Sequence, residues 1–144
     1  METVQFKDIE RLLQFTHSAV CTTHRKDGAP QMSVVTVGSF EGGLAFTTRR
    51  KTAKANNLIR DPRCALMVVT TDFRSYAVIE GEAEVRTQES IPEKKLLGDL
   101  RGIYKSARGG IDHEDWEEYD RVMLEEERIG VILRPGRMVG IRLP

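Results

Sequence analysis

The chain has no run of about 20 apolar residues, the length that a membrane-spanning helix requires. Its first ten residues carry Glu2, Lys7, Asp8 and Glu10 where a secretory leader would be apolar, so the expected location is the cytoplasm. Cysteine is scarce. Cys21 and Cys64 each sit inside an apolar run, too few for a disulfide framework and expected as two buried, reduced thiols. There is no net charge either, 22 Lys plus Arg standing against 22 Asp plus Glu, whereas a domain devoted to nucleic acid carries a basic excess. His17, His24 and His113 are scattered, and neither cysteine lies near one at metal-ligand spacing, so no metal site is expected. Phosphate-binding glycine loops are also missing, because Gly38, Gly42 and Gly43 fit neither the Walker A nor the dinucleotide pattern. Ser33 and Ser75 lack the strand-turn-helix surroundings of a hydrolase nucleophile. Without repeats, low-complexity tracts or linkers, residues 1–144 read as a single domain, long enough to bury roughly 70% of its unfolded surface.

What is present reads as strands joined by tight turns. Apolar residues at Phe6, Ile9, Leu12, Leu13 and Phe15 predict a helix from Phe6 to Thr16. Strands follow at Ser18 to His24 and Gln31 to Phe40 around Asp27-Gly28, then at Leu44 to Thr48 after Glu41-Gly42-Gly43. A short helix from about Lys51 to Arg60 ends at Asp61-Pro62. Cys64 to Thr71 reads as a strand covered on both faces, and Tyr76 to Arg86 alternates between small or apolar residues and Glu80, Glu82 and Glu84. Ser90 and Glu93 have the spacing of a capping box ahead of a helix carrying Leu96, Leu97, Leu100, Ile103 and Tyr104. After Arg108-Gly109-Gly110, Asp112 is placed to cap another helix, whose inner face holds Trp116, Tyr119, Val122 and Met123. That stretch is strongly acidic, which fits a solvated face. Ile129 to Leu133 and Val139 to Leu143, divided by Pro135-Gly136, read as the last strands. Six or seven strands with helices inserted as connections predict a closed antiparallel barrel with helical additions.

The chemistry is concentrated between Gly42 and Arg60, which holds Arg49, Arg50, Lys51, Lys54 and Arg60 and no acid. Thr47 and Thr48 end a strand there, and a helix begins just beyond, pointing unpaired N–H groups and the positive end of its dipole back toward that strand end. At a spacing of three, Lys51, Lys54 and Asn57 would share one helical face. Hydroxyls, backbone donors and ammonium groups converging on one place are how a protein holds a phosphate without a glycine-rich loop. An anion cradle without catalytic side chains points to a bound cofactor that reacts while the protein positions it.

Three segments carry a resemblance to a known family: Asp27-Gly28-Ala29-Pro30-Gln31-Met32-Ser33, the run from Thr47 through Lys54 to Arg63, and Ser75-Tyr76-Ala77-Val78-Ile79-Glu80-Gly81. Together they resemble the pyridoxamine 5'-phosphate oxidase-like, FMN-binding split-barrel proteins. Within these, the chain is most similar to the branch of deazaflavin-dependent oxidoreductases that uses coenzyme F-420, which His113 to Tyr119 also resembles. The resemblance implies a mainly β, six-stranded antiparallel split barrel with α additions, forming a homodimer with cofactor sites between subunits. It implies that Lys54 holds the cofactor phosphate together with Lys51, Arg49, Thr48 and Thr47, that Gln31, Ser33 and Val35 lie along the ring, and that Tyr76 borders the site across the dimer. Arg74 stands where relatives often carry an aromatic residue, a departure that suits a longer anionic tail. Pyridoxamine phosphate oxidation itself is not expected, because that enzyme's substrate-phosphate and C-terminal arginine motifs have no counterpart here.

The function so implied is transfer of a hydride to a small electron-poor organic substrate, with coenzyme F-420 as cofactor. Two alternatives remain open: an FMN-dependent oxidoreductase, and a non-catalytic carrier of flavin, deazaflavin or haem.

Overall fold

A computed structural model describes residues 1–144. Eight strands and four helices run in the order β1 (Glu2–Thr3), α1 (Phe6–Leu12), β2 (Ser18–His24), β3 (Pro30–Thr36), β4 (Gly38–Phe40), β5 (Gly43–Arg49), α2 (Ala53–Arg60), β6 (Arg63–Val69), β7 (Tyr76–Arg86), α3 (Glu93–Ala107), α4 (Trp116–Glu125) and β8 (Arg128–Ile141). No helix is long and apolar enough to cross a membrane.

All strands join one antiparallel sheet in the order β3, β2, β6, β7, β8, β5, β4, with β1 added on β8. The two ends of this path, β3 and β4, are consecutive in the chain and separated only by Val37. The sheet must therefore curl round until its ends meet, which makes a barrel. Alternate residues of each strand point inward, and Ala19, Cys21, Phe46, Leu66, Val68, Ala77, Ile79, Ile129, Val131 and Leu133 fill its core. Helix α1 closes it with Ile9 and Leu12. A smaller apolar cluster joins Leu96 and Leu100 of α3 to Tyr119 and Met123 of α4.

Several sequence expectations need correction. Eight strands stand where the resemblance implied six: β1 is a two-residue addition, and the segment read as one strand from Gln31 to Phe40 breaks at Val37. The break has a physical cause. The N–H of Val37 donates to the His17 carbonyl (2.8 Å) and its carbonyl accepts from His17 Nδ1 (2.9 Å), so β3 pairs with β2 up to this point and β4 pairs with β5 after it. Pro135-Gly136 does not separate a pair of strands but lies within β8, where the register against β7 shifts between Ile79 and Gly81. Proline has no N–H for a regular ladder, and the irregularity accommodates it. Ser90 does not cap α3; it exchanges hydrogen bonds with Thr87 instead, and Pro92 precedes the helix. The cap of α4 is Asp115, which accepts from the Glu118 N–H at 3.1 Å, while Asp112 pairs with Lys105. Helix α1 is four residues shorter than expected, ending at Leu12 so that the Thr16 hydroxyl can reach the Val69 carbonyl.

Candidate functional site

Where Val37 turns the chain from β2 toward β5, the barrel wall opens. Up to Thr36 the edge of β3 that faces away from β2 has no partner, and beyond Ala45 the edge of β5 that faces away from β8 has none. A cleft of about 550 Å³ lies between them. Val34, Val35 and Thr36 form one wall, Thr47, Thr48 and Arg49 the other. Thr52 and Lys54 close one end from the start of α2, and Arg128 of β8 adds a further cation. Over this rises the C-terminal half of α3 with Ile103, Tyr104, Ala107 and Arg108.

The charge of the cleft is one-sided. Arg49, Lys54, Arg108 and Arg128 line it, and no acid does. Glu126, at its rim, pairs with Arg49 (2.9 Å) and Arg128 (2.8 Å). The hydrogen bond from Arg128, with the charges of both arginines, holds the Glu126 carboxyl below its ordinary value. Lys54 pairs with no acid, and the Arg108 guanidinium rests over the Tyr104 ring, 5.2 Å from its centre. Tyr104 in turn packs against His113, Trp116 and Tyr119, a cluster that fixes the α3 wall against α4.

At the strand-to-helix junction, the Thr52 hydroxyl caps α2 by accepting from the Ala55 N–H (3.3 Å) and donates to the Arg49 carbonyl (3.0 Å). The first turn of α2 therefore presents its free N–H groups beside Lys54 and the Thr48 hydroxyl, a geometry suited to an oxyanion.

Five of the nine residues expected at the site line this cleft: Val35, Thr47, Thr48, Arg49 and Lys54. The other four do not. Because α2 starts at Ala53, Lys51 precedes the helix, does not share a face with Lys54, and extends into solvent, 3.8 Å from Glu127. Asn57, expected on that same face, is buried against Thr23. Gln31 accepts from the Thr23 hydroxyl at 2.7 Å behind the wall, and the Ser33 hydroxyl is buried without a partner. Tyr76 does not line the cleft either: its neighbour Ala77 is level through Val68 and Ala19 with Val35, so three strand spacings, roughly 15 Å, separate it from the β3 wall.

Sequence reasoning missed Val34, Thr36, Thr52, Ile103, Tyr104, Ala107, Arg108 and Arg128. The α3 residues carried a signal, since Tyr104, Ala107 and Arg108 share one helical face. That face was legible only as packing, and Arg108 only as the start of a chain break.

The fold and this cleft define a class: curled-sheet, split-barrel proteins with an anion-accepting opening between two separated strands. The chain belongs to the pyridoxamine 5'-phosphate oxidase family, whose sequence pattern matches residues 6–113. It is 30% identical over 123 residues to the pyridoxine/pyridoxamine 5'-phosphate oxidase of Pseudomonas paraeruginosa (strain DSM 24068 / PA7), a match covering 83% of this chain and 57% of that protein. The chain thus spans little more than half of that relative's length. Among solved structures it is similar to an F420 reductase (21% identity, 90% of this chain and 94% of the other, TM-score 0.63). It is also similar to a heme storage protein from Vibrio cholerae (13% identity, 99% and 97% covered, TM-score 0.69). At these identities the two structures speak to the fold alone.

Proposed function

We propose that this protein is an oxidoreductase that holds a phosphorylated flavin-type cofactor in the cleft, most specifically the deazaflavin coenzyme F-420, and acts on a small electron-poor organic molecule. One observation carries the reading: a cleft with four cations, three threonines of one strand-to-helix junction and no acid. Lys54, Arg49, the Thr47 hydroxyl and the free N–H groups of the first turn of α2 would hold the phosphate, the Thr48–Thr52 pair fixing that turn, with Val34, Val35 and Thr36 alongside the ring. When bound, such a cofactor supplies a hydride donor or acceptor. The chain's own role is to bind and orient it, and geometry of this kind can contribute a large share of a rate enhancement.

The deazaflavin is favoured over FMN because Arg128 adjoins Arg49 and Arg108 stands apart on the α3 wall, cations in excess of one phosphate that a cofactor with further anionic groups would use. Haem, the carrier alternative, has the fold-level likeness to a heme storage protein in its favour, but of the side chains that ligate iron only Tyr104 lines the cleft, its ring lying under the Arg108 guanidinium. A homodimer belongs to the proposal: Met32 and Val34 leave apolar side chains on the outer face of β3, at 62% and 75% exposure, which a second copy would cover. Lys51 and Tyr76 then belong to the site only if the second copy brings them to it, and Gln31 and Ser33, whose side chains lie behind the wall, only through their backbone.

Titration of the purified chain with coenzyme F-420 and with FMN, followed by absorbance and fluorescence, tests this. Lys54→Ala should lose about 1.5–3 kcal/mol of affinity for the cofactor that binds, with an unchanged circular dichroism spectrum. If both cofactors titrate identically against the variant and the parent, Lys54 does not hold the phosphate.

A further inference from the structure

The two cysteines are neighbours in space. Cys21 stands on β2 opposite Leu66 of β6, so Cys64, two residues along β6, is its diagonal neighbour on the same face of the sheet. Their sulfurs are 3.9 Å apart, and the side chains are 0% and 4% exposed. On the other side of β2, Cys21 is paired in register with Ser33 of β3, the strand that borders the cleft.

We infer that Cys21 and Cys64 form an oxidative modification site, a thiol pair that a peroxide closes to a disulfide inside the barrel wall, one strand behind the cleft. The inference goes beyond the proposed function and does not require a cofactor. Sulfurs already in contact must close to about 2.05 Å, and because diagonal sheet neighbours stand roughly 7–8 Å apart at Cα, closure also draws β2 and β6 together. No other side chain competes for them: the one further contact is from Cys64 Sγ to the Ala65 carbonyl.

The pair is also chemically unequal. The contact with the Cys64 thiol holds the Cys21 thiol below its ordinary value, and the positive charge of Lys54 acts in the same direction against burial. The same contact, with burial, pushes the Cys64 thiol up. Cys21 is therefore the attacking sulfur and Cys64 the resolving one. In the first step the Cys21 thiolate attacks one peroxide oxygen, the O–O bond breaks, and the departing hydroxide takes a proton to leave as water. This leaves a sulfenic acid on Cys21. In the second, the sulfur of Cys64 attacks that of Cys21, the S–O bond breaks, and the proton from Cys64 leaves with the hydroxyl as a second water. Two thiols and one hydrogen peroxide give one disulfide and two waters, two electrons passing from sulfur to oxygen.

The test uses the whole chain, reduced with dithiothreitol, desalted, and treated with hydrogen peroxide while folded. It is then unfolded and alkylated with N-ethylmaleimide. The expected product takes up no maleimide, is about 2 Da lighter than the reduced chain through loss of two hydrogens, yields a Cys21–Cys64 cross-linked peptide, and reverts with dithiothreitol. With Cys64→Ser, peroxide should leave a sulfenic acid on Cys21 that dimedone traps, and with Cys21→Ser the remaining thiol should stay alkylatable. The inference is overturned if both thiols of the parent still take maleimide after peroxide that oxidises free cysteine. Independent oxidation of each to a sulfinic acid, or cross-links only between separate chains, would overturn it too. Each of these results is read by mass and stands whether or not the chain binds a flavin.

Discussion

The hydroxyls of Thr48 and Thr52 lie 3.1 Å apart, tying the end of β5 to the residue that caps α2. Because Thr52 spends its one proton on the Arg49 carbonyl, Thr48 must be the donor in this pair. Thr52 thus serves three partners, accepting from Thr48 and from the Ala55 N–H while donating to Arg49. Thr52→Ala should cost about 1–2 kcal/mol, the loss of a cap plus a buried Thr48 hydroxyl left without its acceptor. A lowered urea midpoint at unchanged slope would show it. Thr52→Ser, which keeps the oxygen, should recover most of the loss, and equal midpoints for the alanine and serine variants would count against the arrangement.

Glu126 sets how much of the cleft's charge is free. Its carboxylate holds both Arg49 and Arg128, so Glu126→Gln should release two cations toward a bound anion and tighten binding of the phosphorylated cofactor by about 0.5–1 kcal/mol. The same change has a signature in pH. Since the carboxyl is held below its ordinary 4.5 in the folded chain, its stabilising contribution is complete above that value. It disappears as pH falls through the lower, folded value. The parent should therefore lose stability on acidification across this window more steeply than Glu126→Gln. Parallel curves of denaturation midpoint against pH would remove Glu126 from this role.

At the end of β7 remote from Tyr76, Arg86 is 11% exposed and reaches Glu41 (2.8 Å), Glu84 (2.7 Å) and the nearly buried Asp99 of α3 (3.1 Å). Lys95 also meets Asp99, at 2.7 Å. This network joins α3 to the barrel. Arg86→Met should destabilise by about 2–3 kcal/mol, below the full cost of breaking a buried pair because Lys95 still serves Asp99 and both glutamates open to water. Adding Asp99→Leu to that variant should restore some of the loss, since an apolar pair replaces a buried carboxylate left with Lys95 as its one cation. Chemical denaturation of the single and double variants checks both statements, and a double variant no more stable than the single would refute the second.

Much of this architecture was legible beforehand. Runs such as Ser18 to His24 and Tyr76 to Arg86 announce strands through β-branched and alternating residues, and the acid-free stretch around Lys54 supplies one wall and one end of the cleft. What stayed hidden depended on partners distant in sequence. Nothing local distinguishes Val37 from the valines before it; the strand breaks there because His17 takes both of its backbone groups. Pro135-Gly136 has turn chemistry, yet pairing with β7 carries the chain through it. The three-residue spacing of Lys51, Lys54 and Asn57 assumed a helix already formed at Lys51, but Thr52 caps it one residue later. Arg108 reaches the cleft because α3 lies across the separated strands, and Arg128 because pairing of β8 with β5 sets it level with Arg49.

That placement of α3 rests on Gly38. A methyl group built there would lie 2.5 Å from the Ala107 backbone nitrogen and 2.6 Å from the Ser106 carbonyl carbon, distances that backbone atoms cannot accept. The Ser106 hydroxyl also donates to the Ser39 carbonyl at 2.6 Å, so the last turn of α3 sits directly on β4. Gly38→Ala must therefore lift that turn, and with it Tyr104, Ala107 and Arg108, away from the cleft. The expected cost is about 1–3 kcal/mol of stability, as for other overpacked contacts. Cofactor affinity should fall alongside it, although Gly38 does not line the cleft. Gly102, one turn earlier on α3, provides the contrast: a methyl there meets only the Phe40 ring, at 2.7 Å, and a side chain can yield where backbone cannot. Gly102→Ala should accordingly cost less of both. Measuring denaturation midpoints and titrations for the two variants side by side decides the matter. An affinity unchanged by Gly38→Ala would mean that the α3 wall takes no role in binding.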